Sequence, residues 1–352
     1  MRLEIRRPGM LSTVQDGGRW GYQGKGVSVA GAMDLPAFRR GNLVVGNDMD
    51  AAALEITVLG PTLQVLEGEG VVAVAGADLG FTLNGRRAPL WTALRVRPGD
   101  EMAFGGPRGG GCRCFFCVAG GVAVPPVMGS RSTYLRGSLG GFEGRALRAG
   151  DVLETGELPP LAFAGEGFSC PPILGLDRSI DRPLRVVFGP QDDAFTVEAR
   201  ELFLSSAYRV TDEADRMGYR LEGPSLAHVG GADIVSDAVP LGAIQVPGHG
   251  RPICMLADRQ TTGGYPKIAV LCSDDVGALG QRMPGDEVRF VAVTFAEALQ
   301  YAKEERRALE HLWSARSSWR AGTRAMAGAP TSGEWMLTVA GKTYAVTWTE
   351  KA

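Results

Sequence analysis

Short apolar runs separated by turn-forming residues dominate the first half of the chain. Runs of this length, bounded by Gly, Pro, Asn and Asp, are typical of β-strands. They predict strands at 2–6, 71–75, 81–83, 90–96, 101–104 and 114–119. One helix is expected over 35–45, because Asp34 can cap its start, Pro36 suits the first turn and Gly46 can end it.

The second half repeats the strand pattern and then becomes helical. Asp192 and Asp193 can cap a short helix over 194–204. Thr294 and Glu297 form a capping box at the start of a longer helix, and an alternating segment near the C-terminus predicts a β-hairpin. The predicted strands are 184–188, 234–236, 243–246, 253–257, 269–272 and 287–293.

Two short stretches of the first half recur in the second. "GPTL" at 60–63 matches "GPSL" at 223–226, and "RPGDEMAF" at 97–104 resembles "MPGDEVRF" at 283–290. Such internal similarity indicates two related β units. The predicted division is a first β unit at 1–165, a second β unit at 166–293, a helix at 294–319, a linker at 320–333 and a β-hairpin at 334–352.

Composition narrows the function classes. The 352 residues suit two domains, and 50 Gly with 21 Pro fit many turns between short strands. Lys and Arg number 37 against 39 Asp and Glu, so no basic excess favours nucleic acid. No apolar run could span a bilayer, and the first ten residues, MRLEIRRPGM, contain no apolar leader. We therefore expect a cytoplasmic protein that binds neither membranes nor nucleic acid.

Three closely spaced cysteines, Cys112, Cys114 and Cys117, raise the possibility of a zinc site. Alternation along a strand places Cys112 and Cys114 on one face and Cys117 on the other. A zinc site would also need a fourth ligand, and the chain has only three histidines. Buried strand cysteines without a metal are the favoured interpretation.

The densest group of polar residues lies in the second half, in the segments 215–224, 235–252 and 257–269. The chain contains only five lysines, and Lys267 is the one inside this group. Gly263 and Gly264 allow a ligand to approach the backbone closely. The alternative is an ordinary surface loop. The candidate residues are Arg216, Tyr219, Gln245, Asp258, Arg259, Gln260, Thr261, Thr262, Gly263, Gly264, Tyr265 and Lys267.

A second group of polar residues lies in the first half. Asp16 and Arg19 flank two glycines, and Ser130, Arg131 and Ser132 offer hydroxyl and guanidinium groups to an anion. Turn formation and helix capping explain the same residues equally well.

Several long motifs occur together and in order. They are "VQDGGRWGY", "GAMD", "VAGGV", "GSRST", "DRMGYRLEGP", "VSDAVPLGAIQVPGHGRP" and "ADRQTTGGYPKIA". On these motifs the chain resembles the carboxyltransferase A/B-type domain family, also called allophanate hydrolase subunit 2. The resemblance implies a mainly β protein with two cyclophilin-like β-barrel units, a few short helices, and a C-terminal helix and hairpin.

The resemblance also implies a function. It points to the C subunit of an ATP-dependent 5-oxoprolinase, which together with the A and B subunits hydrolyses the cyclic amide 5-oxoproline to glutamate, using ATP and a divalent metal such as Mg. Two alternatives stay open. One is the carboxyltransferase component of a biotin-dependent urea or amide carboxylase, although the chain has no biotin attachment site. The other is a non-enzymatic regulatory partner of a kinase inhibitor.

The oxoprolinase function suggests roles for the two polar groups. A lactam that receives a phosphoryl group needs cations and oriented amides around it. We expect Asp258, Arg259, Gln260 and Lys267 to be catalytic. The other candidates of both groups, including Asp16, Arg19, Ser130, Arg131 and Ser132, are expected to bind the substrate or an anion, and no metal is expected on this chain alone.

Overall fold

The computed structural model describes residues 1–159, 162–170 and 182–319, together with the backbone of two strands at 332–339 and 342–349. The predicted linker lies almost entirely outside the described residues. The described helices are α1 (Leu35–Val45), α2 (Val197–Ser205), α3 (Ser273–Gly280) and α4 (Phe295–Ser318).

The first unit contains two sheets that share one core. Their strands follow the orders β11-β1-β4-β9-β6-β7 and β2-β3-β10-β5-β8. Apolar side chains from both sheets, such as Leu63 of β4 and Phe116 of β10, meet in this core. The strands are β1 (Arg2–Arg7), β2 (Leu11–Gln15), β3 (Ala53–Thr57), β4 (Thr62–Glu67), β5 (Gly70–Gly76), β6 (Thr82–Leu83), β7 (Arg86–Arg87), β8 (Leu94–Val96), β9 (Glu101–Ala103), β10 (Arg113–Val118) and β11 (Val152–Glu154).

The second unit is a closed barrel with a small two-stranded arm at one side. Seven strands close in the order β12-β19-β16-β17-β14-β13-β20, and β15 pairs with β18 to form the arm. The strands are β12 (Leu184–Phe188), β13 (Ala207–Val210), β14 (Gly218–Glu222), β15 (Asp237–Ala238), β16 (Ala243–Gln245), β17 (Ile253–Met255), β18 (Thr262–Gly263), β19 (Lys267–Leu271) and β20 (Glu287–Ala292). The mainly β fold class is confirmed. The closed barrel lies in this unit, whereas the strands of the first unit form two sheets.

Helices α1 and α4 form a layer outside the second sheet of the first unit. Phe38 of α1 packs edge-on against Phe115 of β10, with ring centroids 5.5 Å apart. Arg40 of α1 pairs with Glu305 of α4 through its two terminal guanidinium nitrogens, at 2.5 and 2.7 Å. Leu312 of α4 joins the same apolar cluster. The long helix is therefore anchored on the first unit.

The predicted helix caps are confirmed. The Asp34 carboxylate accepts the N–H of Ala37, and Gly46 ends α1 with a positive φ of 85°. Thr294 and Glu297 form the capping box of α4. Strands β21 (Ser332–Val339) and β22 (Lys342–Thr349) pair with each other, which confirms the terminal hairpin. Caps depend on residues a few positions apart, which explains why sequence predicts them well.

Two predicted elements begin later than expected, and a third does not form. The strand at 90–96 begins only at Leu94, because Trp91 adopts a positive φ of 58° that interrupts it. The helix at 194–204 is capped by Thr196, since Asp192 lies in a preceding 3-10 turn. No strand forms at 234–236, and the pairing shifts to β15 on the arm. Strands β2, β3, β4, β13 and β14 are among those that were not predicted from the sequence.

Cys114 and Cys117 lie on opposite faces of β10 as the strand pattern predicts, whereas Cys112, expected on the face of Cys114, precedes the strand. Cys114 points into the core between the two sheets, whereas Cys117 points to the layer of α1 and α4. Cys112 lies just before β10, and its sulfur contacts the carbonyl oxygens of Gly280 and Arg282. Burial raises the pKa of all three thiols. The absence of zinc remains a prediction.

None of the helices in the described part of the chain is both long and apolar enough to cross a lipid bilayer.

Candidate functional site

A buried lysine lies at the mouth of the barrel. Lys267 begins β19 and pairs in register with Gln245 at the end of β16. Its side chain is 1% exposed, and its Nζ donates to Asp237 at 3.0 Å. The Asp237 side chain is 48% exposed. The only ion-pair partner described for this cation therefore lies at the surface, where a ligand could replace it.

The arm holds Asp237 over the mouth. Asp237 and Ala238 pair with Gly263 and Thr262, and the N–H of Val239 donates to the Thr261 carbonyl at 3.0 Å. A Cβ atom on Gly263 would lie 2.8 Å from Nε2 of Gln245, so a larger residue here would displace the Gln245 amide. The backbone of the "TTGG" stretch at 261–264 therefore lies close to the site.

Gln191 connects the lysine to its partner. Its Oε1 accepts the backbone N–H of Lys267 at 3.3 Å, and its Nε2 donates to Asp237 at 3.2 Å. The hydrogen bond from Lys267 is the main cause that lowers the pKa of Asp237. Asp237 and Gln191 were both missed by the sequence reasoning. The need of a buried lysine for a counter-charge was the signal that could have identified Asp237 inside its motif.

Two side-chain amides line the same mouth. Gln245 donates from Nε2 to the carbonyl oxygen of Tyr265 at 3.2 Å, and Gln260 donates to Oε1 of Gln245 at 3.4 Å. The Oε1 atom of Gln260 is buried and accepts no hydrogen bond from the described residues. A buried acceptor without a donor is costly unless a ligand or water supplies one. Tyr265 is exposed at the rim.

Arg216 and Asp258 bind each other and the first unit. Arg216 donates to both oxygens of Asp258, at 3.1 and 2.9 Å, to the carbonyl oxygen of Gly31 at 2.6 Å, and to Glu55. Glu55 also accepts the N–H of Met33 at 2.7 Å. Because all three guanidinium nitrogens are engaged, Arg216 joins the two units and has little capacity to bind a substrate carboxylate. Glu55 was not among the predicted residues.

Tyr219 and Arg259 are also held inside the molecule. The Tyr219 hydroxyl accepts from Arg113 at 2.6 Å and donates to the carbonyl oxygen of Arg282 at 3.2 Å. Arg259 donates to the carbonyl oxygen of Val239 at 2.9 Å, and burial lowers its pKa to about 10. These contacts fix the barrel strand and the base of the arm.

The group predicted in the first unit forms a network that closes on itself. Asp16 accepts from the hydroxyls of Ser130 and Ser132, at 2.7 and 2.5 Å, and from the N–H groups of Gly18 and Arg131, at 2.8 and 2.5 Å. Four donors satisfy the carboxylate, so the group stabilises its own loops. This arrangement agrees with the turn interpretation.

Arg19 lies beside this network. It donates to the carbonyl oxygens of Val127 and Ser132 at 3.0 and 2.8 Å, while its Nη1 is buried without a described partner. Ser28, a few residues on, donates to the carbonyl oxygen of Arg259 at 2.7 Å. The two predicted groups therefore meet across the unit boundary, but only the second has open groups at a cavity mouth.

The described residues offer few side chains that could bind a metal ion at this site. Among the described residues, no three or more His, Cys, Asp and Glu side chains come together as a metal site would require. Around Lys267, Asp237 is the only described carboxylate in contact with the lysine. These groups suit an oxygen anion or an amide better than a protein-held cation.

Comparison with known proteins adds a family to this geometry. A model of the family described as carboxyltransferase domain, subdomain A and B, matches residues 25–292. The chain belongs to this family. The C subunit of 5-oxoprolinase from Escherichia coli (strain K12) is 38% identical over 312 residues, which cover 88% of this chain and 97% of that protein.

Longer proteins contain a similar family domain. The urea amidolyase of Lachancea kluyveri is 34% identical over 329 residues, covering 88% of this chain but 18% of that protein. The crystal structure of the K. lactis urea amidolyase is similar with a TM-score of 0.82 at 32% identity, covering 88% of this chain and 20% of that one. The family domain thus occurs both as a separate chain and within multidomain proteins.

Proposed function

We propose that this protein is the C subunit of an ATP-dependent 5-oxoprolinase, acting with the A and B subunits to convert 5-oxoproline into glutamate. The observation that carries this proposal is the 38% identity to a protein of that name over 97% of its length. The urea amidolyase match covers 18% of a much longer protein, so it supports a shared domain more than a shared whole activity.

The reaction needs an activated lactam. The lactam oxygen attacks the γ-phosphorus of ATP and ADP leaves. Water then adds to the ring carbon, the C–N bond breaks as a proton passes to nitrogen, and hydrolysis of the resulting acyl phosphate releases phosphate. Charge grows on oxygen atoms throughout, so the site must supply cations and hydrogen-bond donors at those atoms.

We assign to Lys267 the role of stabilising that negative charge. Its ammonium is buried, and Asp237 is its only described ion-pair partner, at 3.0 Å. An anionic substrate or phosphoryl group at the mouth would compete with Asp237 for the same ammonium. Gln260, with its free buried Oε1, would accept the lactam N–H. The amide of Gln245 and the backbone of Thr261–Gly264 would then orient the ring.

The same assignment changes the predicted division of roles. Arg216 is engaged by Asp258 and, across the unit boundary, by Glu55, so we propose that the substrate carboxylate binds Lys267 or a partner subunit. The divalent metal and ATP are expected to act in the assembled enzyme. The described carboxylates near Lys267 are too few to hold the metal without the nucleotide phosphates.

The test is reconstitution. The chain should be purified alone and together with the A and B subunits encoded in the same genome, then incubated with 5-oxoproline and MgATP. We expect ADP and glutamate to be released in equal amounts by the assembly and neither by the single chain. Turnover by the homogeneous chain alone would contradict the need for partners.

Urea carboxylation is the second candidate, because the urea amidolyase structure covers most of this chain with a TM-score of 0.82. It predicts that the chain carboxylates urea when a carboxybiotin-bearing protein is supplied. Carboxylation of urea without any glutamate release would replace the first proposal with this one.

A further inference from the structure

A cleft of about 640 Å³ lies where three parts of the molecule meet, and it shares no residue with the site around Lys267. The loop at 108–111 of the first unit forms one wall. The start of β12 and helix α3 with the residues after it form the second wall, through Pro183, Arg185, Asp274, Ala278 and Arg282. The third wall is one face of α4, which contributes Tyr301, Glu304, Glu305 and Ala308. A volume of this size is typical of small-molecule sites.

Helix α3 sets the length of the cleft. Asp274 lies in its first turn, and Gln281 directly follows its last residue. With a rise of about 1.5 Å per residue, these two positions are roughly 10 Å apart along the axis. A ligand that contacts both ends must therefore be longer than a single amino acid.

One end of the cleft offers an acceptor and an aromatic ring. The Asp274 carboxylate makes no hydrogen bond within the described part of the chain and lies near Glu305 and Arg185. Arg185 stacks on Tyr301, with the guanidinium carbon 4.1 Å from the ring centroid, and its Nε donates to Asp275 at 2.7 Å. This end suits hydroxyl donors beside a planar group.

The opposite end combines a guanidinium with a glycine loop. Two carboxylates also line the cleft there, and both are engaged: Asp78 pairs with Arg87, and Asp34 accepts from Gln281 at 2.6 Å. Arg108 lines this end, followed by Gly109, Gly110 and Gly111, and its guanidinium makes no ion pair with any described residue. The N–H of Cys112 donates to Gln281 at 3.1 Å, which fixes this loop at the end of α3. A guanidinium without an ion-pair partner, beside glycine N–H groups, suits phosphate oxygens.

We propose that this cleft binds a nucleotide, with its phosphates at Arg108 and the glycines, its ribose hydroxyls at Asp274 and its base beside Tyr301. A carboxylate is a common partner for ribose hydroxyls, and guanidinium groups are common partners for phosphate. Because the cleft shares no residue with the site around Lys267, a nucleotide held here is distinct from the phosphoryl donor proposed there, and its binding does not rest on the proposed function.

Binding of MgATP to the full chain, measured by calorimetry, tests the inference directly. We expect one site per chain. Arg108→Ala should weaken MgATP and inorganic triphosphate about tenfold. Asp274→Ala should weaken MgATP similarly while leaving triphosphate unchanged, because the two residues lie at opposite ends. Arg306→Ala is the matched control, since that arginine is on the exposed face of α4 with 82% of its side chain accessible.

The outcomes separate this inference from the proposed function. No MgATP binding by the folded wild-type chain, or binding that both substitutions leave unchanged, would overturn the cleft assignment. Glutamate release by the assembly would then still support the oxoprolinase proposal. Binding that depends on Arg108 and Asp274, without glutamate release from any assembly, would keep the cleft and reject the oxoprolinase. Circular dichroism of each variant confirms that it is folded.

Discussion

The two β units treat their polar groups in opposite ways. In the first, Asp16 accepts four hydrogen bonds, so its carboxylate is fully satisfied within its own loops, although Nη1 of the adjacent Arg19 has no described partner. In the second, the buried Lys267 has one described ion-pair partner, the half-exposed Asp237. Both regions looked alike in sequence, as polar residues beside glycines. The difference teaches that a closed network stabilises its own loops, whereas an open one can exchange a partner for a ligand.

The two units also share a turn. Asp100 and Asp286 each accept the N–H of the residue three positions earlier, at 2.8 and 2.7 Å. The glycines of these turns donate to the carbonyl oxygens of Val65 and Val210 at 2.9 and 2.8 Å. The repeat seen in the sequence at 97–104 and 283–290 is therefore one structural element used twice.

The largest expected effect is on activity, after substitution of Lys267 in the second unit. Lys267→Met should lower kcat/KM of the assembled enzyme about 10²- to 10³-fold, because a charge-stabilising group is lost. Stability should change little, since methionine fills the same space and Asp237 is half exposed. Lys303→Met, on the exposed surface of α4, is the control. Unchanged turnover with a lower melting temperature would make Lys267 structural.

Asp16→Ala should produce the converse result. It leaves several buried donors without an acceptor, so the free energy of unfolding should fall by about 3 kcal/mol or more. Urea denaturation measures this. Asp50→Ala, which removes an exposed partner of Arg39, should cost less than about 1 kcal/mol. An Asp16→Ala protein that is stable but inactive in the assembly would place the first group in the site.

A smaller effect concerns the carboxylate that lacks a described hydrogen bond. Burial, with the charge of Glu305 second, raises the pKa of Asp274 to about 6. The folded state therefore holds a proton that the unfolded state releases, and stability from this group rises as the pH falls from about 6 to about 4. The slope should approach but not exceed about 1.4 kcal/mol per pH unit.

Comparison with Asp274→Asn isolates that effect, because asparagine cannot titrate. The difference in unfolding free energy between variant and wild type should be largest at about pH 7 and shrink toward about pH 4. A difference that stays constant across this range would show that the Asp274 carboxyl titrates normally in the folded protein.

The smallest effect tests the shared turn. Gly99 and Gly285 have φ values of 92° and 94°, and a Cβ atom at either would meet no other atom. Alanine at each should therefore cost only the backbone strain, about 1 kcal/mol. Asparagine should cost less, since it tolerates this conformation better. Unequal costs for the two alanine variants would show that the turns are not equivalent.

Sequence alone determined the features that depend on neighbours in the chain. The caps of α1 and α4 involve residues three positions apart, so a local pattern contains the whole interaction. The opposite faces of Cys114 and Cys117 follow from strand alternation. The family motifs also identified the segment in which Lys267 lies, because they are long and specific.

The tertiary structure decided which polar groups are free. Lys267 meets Asp237 from 30 positions away, and Arg216 meets Glu55 from 161 positions away. Whether a guanidinium or carboxylate is satisfied depends on every donor and acceptor that folding brings within about 3 Å. No local pattern encodes that count. The same reason explains why Arg216 looked like a ligand-binding residue in sequence and became a link between the units in the fold.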